Sequence, residues 1–315
     1  MSERMAYFQG QFMPLSEAKI GIMTHAFLYG TACFEGLRGN WNQDDGTLYL
    51  FRTKEHYQRL RRSSMILGIK LAPSDDELCD ITAELVARAG FTEDVYIRPI
   101  AYKSEEAIGP RMHDVADDFL CFVIPFGNYL DDQGIRCMTS TWRRVDDLGI
   151  PARAKVNGLY INSALAKTEA LENGFDEAIM LDDRGHVSEG SGENIFIVRD
   201  GKLITPPPSD NILEGITRDS VITIAHDEFG IPTVERSIDR SELYVADECF
   251  MTGTAAHLTA VIEVDRRTIG SGLPGDVTKR LHGRYYDAMH GREEKYAKWL
   301  LPVKPQVAGR QGVKA

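Results

Sequence analysis

Apolar positions recur along the chain with two different periods, and each period predicts its own kind of element. Thr47-Leu48-Tyr49-Leu50-Phe51 is a short β-rich run, and the segment after it, Thr53 to Ile66, sets His56, Leu60, Ser63 and Leu67 at helical spacing. Ser74-Asp75-Asp76-Glu77 has the form of a capping box, in which the serine hydroxyl accepts from the third backbone amide and Glu77 reaches back. Leu78, Ile81, Leu85 and Ala89 then mark one face of a helix over 75–89. Two β-rich runs follow, Val95 to Tyr102 and Phe119 to Pro125, and then a polar, glycine-punctuated stretch from Gly127 to Gly134.

Beyond that stretch, Ile135 to Trp142 and Glu177 to Leu181 read as strands, with a helix over 158–173 between them that closes at Asn173-Gly174. Asn194 to Val198 and Gly201 to Ile204 suggest a hairpin, and Pro206-Pro207-Pro208 a stiff loop. Thr217 to Phe229 reads as a helix ended by Gly230 and Pro232, Glu248 to Thr252 and Ala260 to Val264 as strands, and 273–290 as a closing helix. The pattern predicts an α+β protein of two lobes: a small N-terminal domain over 1–126, an interdomain loop over 127–134 and a larger C-terminal domain over 135–315. A ligand is expected where the lobes meet.

Composition narrows the function. With 36 Lys plus Arg against 47 Asp plus Glu, the 315 residues carry a formal charge of -11, too acidic for a general nucleic-acid binder. No window approaches the roughly 20 apolar residues of a membrane helix, and the N-terminus has no apolar signal core, so a soluble cytoplasmic protein is expected. Cys33, Cys79, Cys121, Cys137 and Cys249 are scattered without a C-x-x-C pair, which predicts buried small side chains instead of disulfides or zinc ligands. The histidines and carboxylates show no metal-ligand spacing, and no metal is expected.

Two glycine-punctuated loops have the makings of anion cups. Glu214-Gly215-Ile216-Thr217 precedes a helix, and Thr252-Gly253-Thr254-Ala255-Ala256 follows a strand. Orphan N–H groups at a helix N-terminus, with threonine hydroxyls beside them, hold a phosphate without many cations. The same residues also fit a helix cap at Thr217 and a turn at Gly253, and both readings stand at this level. Gly190-Ser191-Gly192 begins like a dinucleotide fingerprint, but it lacks the third glycine and leads into a strand-like run.

Seven segments occur together in order: HAFLYGTACFEG from His25 to Gly36, EHYQRL from Glu55 to Leu60, Tyr96-Ile97-Arg98-Pro99, Ala152 to Ser163 around Lys155, Ser188 to Phe196, GITRD from Gly215 to Asp219, and MTGTAA from Met251 to Ala256. In these, from about residue 7 to about 290, the chain resembles the fold-type IV pyridoxal phosphate enzymes, and among them the branched-chain amino acid aminotransferases. The resemblance implies a two-lobed fold like that of D-amino acid aminotransferase, with pyridoxal 5'-phosphate at the lobe interface. Lys155 matches the lysine that holds the cofactor as a Schiff base and moves the α-proton. Glu189 matches the carboxylate that keeps the ring nitrogen protonated. Glu193 competes for that role, and register with the family gives it the ordering of the loop.

By the same resemblance Arg59 lies on the phosphate, Ile216, Thr217 and Thr254 complete the cup, Tyr160 bonds the phenolic oxygen and Leu213 packs on the ring. For the substrate, Phe34, Phe126 and Tyr129 enclose an aliphatic side chain. Arg98, with Tyr29 from a partner subunit, meets the second carboxylate of glutamate, the alternative being a structural strand arginine paired within its own lobe. Tyr96 and the amides of Thr254, Ala255 and Ala256 hold the α-carboxylate, while Gly36 and Arg38 complete the branched-chain pattern. Tyr29 and Arg38 resemble residues lent across a homodimer. The implied reaction moves the amino group of leucine, isoleucine or valine to 2-oxoglutarate. Alternatives within the family are D-amino acid transaminase, R-amine transaminase and aminodeoxychorismate lyase. A phosphate-ligand module without catalysis is a third reading, against which the intact Lys155 and Glu189 argue. The chain departs from many relatives at Val156-Asn157-Gly158-Leu159, after the lysine, and at Phe126, where some bacterial members have tryptophan.

Overall fold

A computed structural model describes residues 2–127 and 133–306. The chain forms two compact units. The first gathers the residues up to Gly127, Val156–Gly158 and the chain from Asp287 onward; the second holds the stretch ending at Lys155 and Leu159–Tyr286.

In the first unit the described residues form an eight-stranded sheet. Its order is Leu300–Val303, Thr47–Phe51, Leu37–Asn42, Val95–Lys103, Asp117–Pro125, Met5–Phe8 and Gln11–Pro14, with Ala32–Phe34 also pairing to Val95–Lys103. The helices Thr53–Ile66 and Asp75–Ala89 cover its inner face, where Leu48, Leu50, Leu60, Leu78, Leu85, Val95 and Ile97 form a common core. The capping box at Ser74 is present: its Oγ accepts from Glu77 N–H, and Glu77 accepts from the Ser74 amide at 2.7 Å. Strand alternation decides the site. Val95 and Ile97 point into the core, so Tyr96 and Arg98 point out of the opposite face. Pro99 is tolerated inside this strand because its neighbours on one side, Ala32–Phe34 and Leu37–Asn42, are interrupted there; Glu35 N–H donates to its carbonyl.

One expectation fails here. The helix Asp276–Met289 does not close the chain, because Leu300–Val303 adds antiparallel to Thr47–Phe51. The described residues from Asp287 to Gln306 therefore group with the first unit, whereas the sequence pattern predicts a domain over 135–315.

The second unit's described residues form a nine-stranded mixed sheet in the order Val187–Gly190, Glu177–Leu181, Ile135–Thr139, His257–Val264, Glu248–Gly253, Asn194–Arg199, Lys202–Thr205 and Thr233–Glu235, with Arg267–Thr268 paired to His257–Val264. The hairpin Asn194–Arg199/Lys202–Thr205 is antiparallel as expected. The strand from Ile135 ends at Thr139, short of Trp142, and the strand to Val264 begins at His257, before Ala260. Ile135, Ile179, Ile195, Ile197, Met251 and Val261 fill its core. The helix Tyr160–Glu172 packs Ala166 and Ala170 against Ala178 and Met180, and Ile216–Phe229 ends at Gly230 in the left-handed conformation.

Four of the five cysteines are buried and all are free. Burial pushes the thiols of Cys33, Cys121 and Cys249 up to about 12, which suits small apolar fillers. Among the described residues no helix is long and apolar enough to cross a membrane.

Candidate active site

The second unit brings nine of the expected site residues onto one set of adjoining elements. Lys155 stands just before a 3-10 turn, Asn157–Leu159, and Tyr160 opens the following helix. That turn folds the chain back so that Lys155 Nζ donates to Tyr160 Oη at 2.6 Å. Glu189 lies on the buried strand Val187–Gly190, whose register shifts between Val187 and Glu189. Such a bulge re-aims the side chain that follows it. The carboxylate meets three kinds of donor: Arg144 Nη2 at 2.7 Å, Asn194 Nδ2 at 3.1 Å and the Leu213 amide at 2.9 Å. A buried guanidinium and two neutral N–H groups complement a negative charge there.

Asn194 also donates to the Leu213 carbonyl at 2.9 Å, which ties the residues before the helix Ile216–Phe229 to Glu189. Gly215 is the N-cap of that helix, and a Cβ there would stand 1.9 Å from Asn194 Oδ1, so only glycine lets the helix start this close. Because Gly215 is the cap, Thr217 is free of that duty and the helix-cap reading of Thr217 falls. Ile216 and Thr217 lie in the buried first turn, where amides have no partner within the helix. Thr254, Ala255 and Ala256 form the turn joining Glu248–Gly253 to His257–Val264.

Glu193 differs from Glu189 in its surroundings. It packs between two glycines: a Cβ on Gly190 would be 2.9 Å from its Oε2, and one on Gly253 3.3 Å from its Cγ. Its Oε2 accepts from Gly192 N–H at 3.1 Å. Burial, reinforced by the nearby Glu177 carboxylate, pushes its carboxyl up to about 8. Glu193 is thus neutral where Glu189 is complemented as an anion. The folded chain keeps a proton on Glu193 that the unfolded chain loses above about 4.5, so its contribution to stability declines as pH rises from there through about 8. Glu193→Gln keeps the neutral shape, and its melting temperature should gain on the parent as pH is raised across that window. A difference that stays constant with pH, or reverses, would remove Glu193 as a buried neutral acid.

The first unit gathers a second group. Arg98 donates to Tyr96 Oη from Nε at 3.1 Å and Nη2 at 2.7 Å, and its guanidinium lies 4.3 Å from the centre of the Phe34 ring. Tyr96 packs on Phe126 at 5.2 Å. Gly36 leaves room for the Tyr96 hydroxyl, which a Cβ would meet at 2.3 Å. Among the described residues no carboxylate pairs with Arg98, which speaks against a purely structural strand arginine. Arg38 is buried, over the Phe126 ring at 5.1 Å, donating to the Gly127 carbonyl at 3.1 Å and paired with Asp94 at 3.4 Å. It thereby holds Phe126 and Gly127 in place. Tyr29 is exposed and stands against other partners, accepting from Gly109 N–H at 2.8 Å and packing on His25. Tyr129 lies outside the described residues.

Arg59, on the helix Thr53–Ile66, is gripped by Glu35: Nε and Nη2 donate to its two oxygens at 2.7 and 2.8 Å. His56, one turn earlier, bonds the same carboxylate at 2.8 Å. Burial alone would raise the Glu35 carboxyl, but Arg59 and His56 hold it well below the carboxylate range. Burial keeps the His56 imidazole below its ordinary value against the pull of Glu35.

Glu35, His56, Arg144 and Asn194 are the organising residues that the sequence reading passes over. Glu35, His56 and Asn194 lie inside quoted motifs, whereas Arg144 stands in none. Asp182, His186 and Asp210 also come together as metal ligands would. Arg184 already bridges the two carboxylates at 2.8 and 2.6 Å, where a cation would sit.

Residues 32–264 match the family model for amino-transferase class IV. A probable branched-chain-amino-acid aminotransferase of Aquifex aeolicus (strain VF5) is 51% identical over 299 residues, covering 95% of this chain and 96% of its own. The branched-chain-amino-acid aminotransferase of Escherichia coli (strain K12) is 38% identical over 302 residues, covering 94% and 96%. Among solved structures, the branched-chain aminotransferase of the thermophilic archaeon Thermoproteus uzoniensis with norvaline superposes with a TM-score of 0.91 at 44% identity, over 96% of this chain and 99% of that one. The branched-chain amino acid aminotransferase of Thermobaculum terrenum in its PLP-bound holo form gives 0.90 at 36% identity, over 96% and 98%.

Proposed function

The chain belongs to the class IV aminotransferase family, whose members use pyridoxal 5'-phosphate, and from that premise we propose that it moves the amino group of leucine, isoleucine or valine to 2-oxoglutarate. The donor set fits the cofactor: a lysine amine beside a tyrosine hydroxyl, a carboxylate complemented for negative charge, and a helix N-terminus opened by glycine. When bound, pyridoxal phosphate draws electrons from the substrate's α-carbon. Lys155 would hold the cofactor covalently and carry the α-proton, with Tyr160, bonded to its amine, orienting it and meeting the phenolic oxygen. Glu189 would keep a proton on the ring nitrogen, and Arg144, Asn194 and Leu213 N–H keep Glu189 in place. Ile216, Thr217 and Thr254 would bind the phosphate and Leu213 would pack on the ring; Arg59 is proposed as a further phosphate ligand.

One substrate site must take an apolar branch in one half-reaction and a carboxylate in the other without burying an unpaired charge. The observation that carries the reading is Arg98 over Phe34 with the Tyr96 hydroxyl as its only polar partner among the described residues. Aromatic surface from Phe34 and Phe126 receives the aliphatic chain, and Arg98 turns a charged edge to glutamate. The turn amides of Thr254, Ala255 and Ala256 would hold the α-carboxylate. Gly36 supplies the space and Arg38 fixes Phe126.

A homodimer, with Tyr29 of each subunit completing its partner's site, is part of this proposal. Ile22, Phe27 and Ile108 are 83%, 66% and 77% exposed on two segments bridged at Thr24 and Glu106, an apolar surface that supports it.

Arg98→Met tests the division of the substrate site. It should lower kcat/KM for glutamate or 2-oxoglutarate by about 2 kcal/mol or more, roughly 30-fold, and leave leucine much less affected. Half-reaction kinetics read both substrates separately. Equal losses for the two would end the assignment of Arg98 to the second carboxylate.

A further inference from the structure

We propose that Glu35 is a positioning residue for the cofactor's phosphate, because it fixes the Arg59 guanidinium by its inner edge and so sets which N–H groups face the anion. The proposal rests on the reading of Arg59 as a phosphate ligand. An arginine side chain has many rotamers, and a fork-to-fork carboxylate contact at 2.7 and 2.8 Å selects one of them.

Glu35 is itself fixed from three directions. Its backbone N–H donates to the Pro99 carbonyl at 2.9 Å, at the break between the strands Ala32–Phe34 and Leu37–Asn42. Its side chain is fully buried, and His56 bonds the oxygen shared with Arg59 Nη2. His56 and Arg59 are three apart on one helix, so both face the same carboxylate. With Nε and one Nη2 hydrogen committed to Glu35, it is the outer edge of the guanidinium that would meet the phosphate. The anion is then recognised through oriented donors, since the Arg59–Glu35 pair carries little net charge. Lysine at position 59 cannot make the same fork.

The test compares pyridoxal 5'-phosphate with pyridoxal, which lacks the phosphate, in binding to the apo forms of the full chain. The parent, Glu35→Gln, Arg59→Lys and the double variant are each checked for fold by circular dichroism and thermal melting. Glu35→Gln should weaken pyridoxal phosphate binding roughly tenfold or more while moving pyridoxal less than about twofold, and the double variant should be no worse than the weaker single one. A merely structural role would weaken both ligands alike, and that result overturns the proposal. If Arg59→Lys loses the preference for the phosphorylated ligand and Glu35→Gln keeps it, Glu35 does not position Arg59 and the reading of Arg59 stands. If Arg59→Lys keeps the preference, the reading of Arg59 itself is wrong. Should Glu35→Gln fail to fold, Glu35→Asp, charged but one methylene shorter, carries the same comparison. A smaller loss confined to pyridoxal phosphate supports the proposal, and an unchanged preference overturns it.

Discussion

Lys155→Ala should abolish turnover and leave the fold intact. The lysine side chain is only partly buried, at the edge of the 3-10 turn Asn157–Leu159, and its interaction with Tyr160 Oη at 2.6 Å is local. Its removal opens no cavity in either core. Chemically it is the group with the largest share: a positioned general acid–base contributes about 10²–10⁴-fold by itself, and covalent retention of the cofactor adds to that. Tyr160 cannot take over, because it carries no amine with which to hold the cofactor. The visible absorbance of the covalently held cofactor should vanish with activity, while thermal melting stays close to the parent. Borohydride fixation followed by peptide mapping identifies the lysine directly, and a label on any other lysine refutes the assignment.

Glu189→Gln should give the second-largest effect and separate two roles that one residue combines. In the proposed role, losing the charge that would face the ring nitrogen should cost about 10²–10³-fold in kcat, the scale for removing one preorganised electrostatic group. The phosphate-binding residues remain, so cofactor retention should change far less. The substitution also leaves the Arg144 guanidinium, 5% exposed, without its anion. Breaking a buried pair on one side typically destabilises by about 3–5 kcal/mol. Adding Arg144→Met should therefore restore much of the lost stability without restoring activity, read by urea unfolding alongside single-turnover rates. An active Glu189→Gln beside an inactive Glu193→Gln would transfer the ring-nitrogen role to Glu193.

What could be read in advance follows from how local each signal is. The helix Asp75–Ala89 carries its own cap and its own apolar face, so it was legible to the residue. Its neighbour over Thr53–Ile66 shows the same spacing. The strands Ala32–Phe34 and Leu300–Val303, with three and four residues, are too short to show a period, and pairing partners far along the chain define them. Missing the second of these is what misplaced the C-terminal stretch. At the site, Lys155 and Glu189 stood out only through their motifs, since neither composition nor spacing sets one lysine or glutamate apart. The residues that orient them are harder still. Arg144 reaches Glu189 across 45 positions and Glu35 reaches Arg59 across 24, and no periodicity encodes either pair. The contest between Glu189 and Glu193 was undecidable from spacing, because both are buried alike and the difference lies in their neighbours, the Arg144 guanidinium at one and the Glu177 carboxylate near the other.

The central claim is the substrate class, and an amino-donor panel tests it most directly. Initial rates with 2-oxoglutarate as acceptor are measured for L-leucine, L-isoleucine, L-valine, D-leucine and an R-amine, using the holoenzyme. The account predicts turnover of all three branched-chain L-amino acids, each with kcat/KM at least about 100-fold above those of D-leucine and the R-amine. D-leucine or the R-amine as the best donor would contradict it.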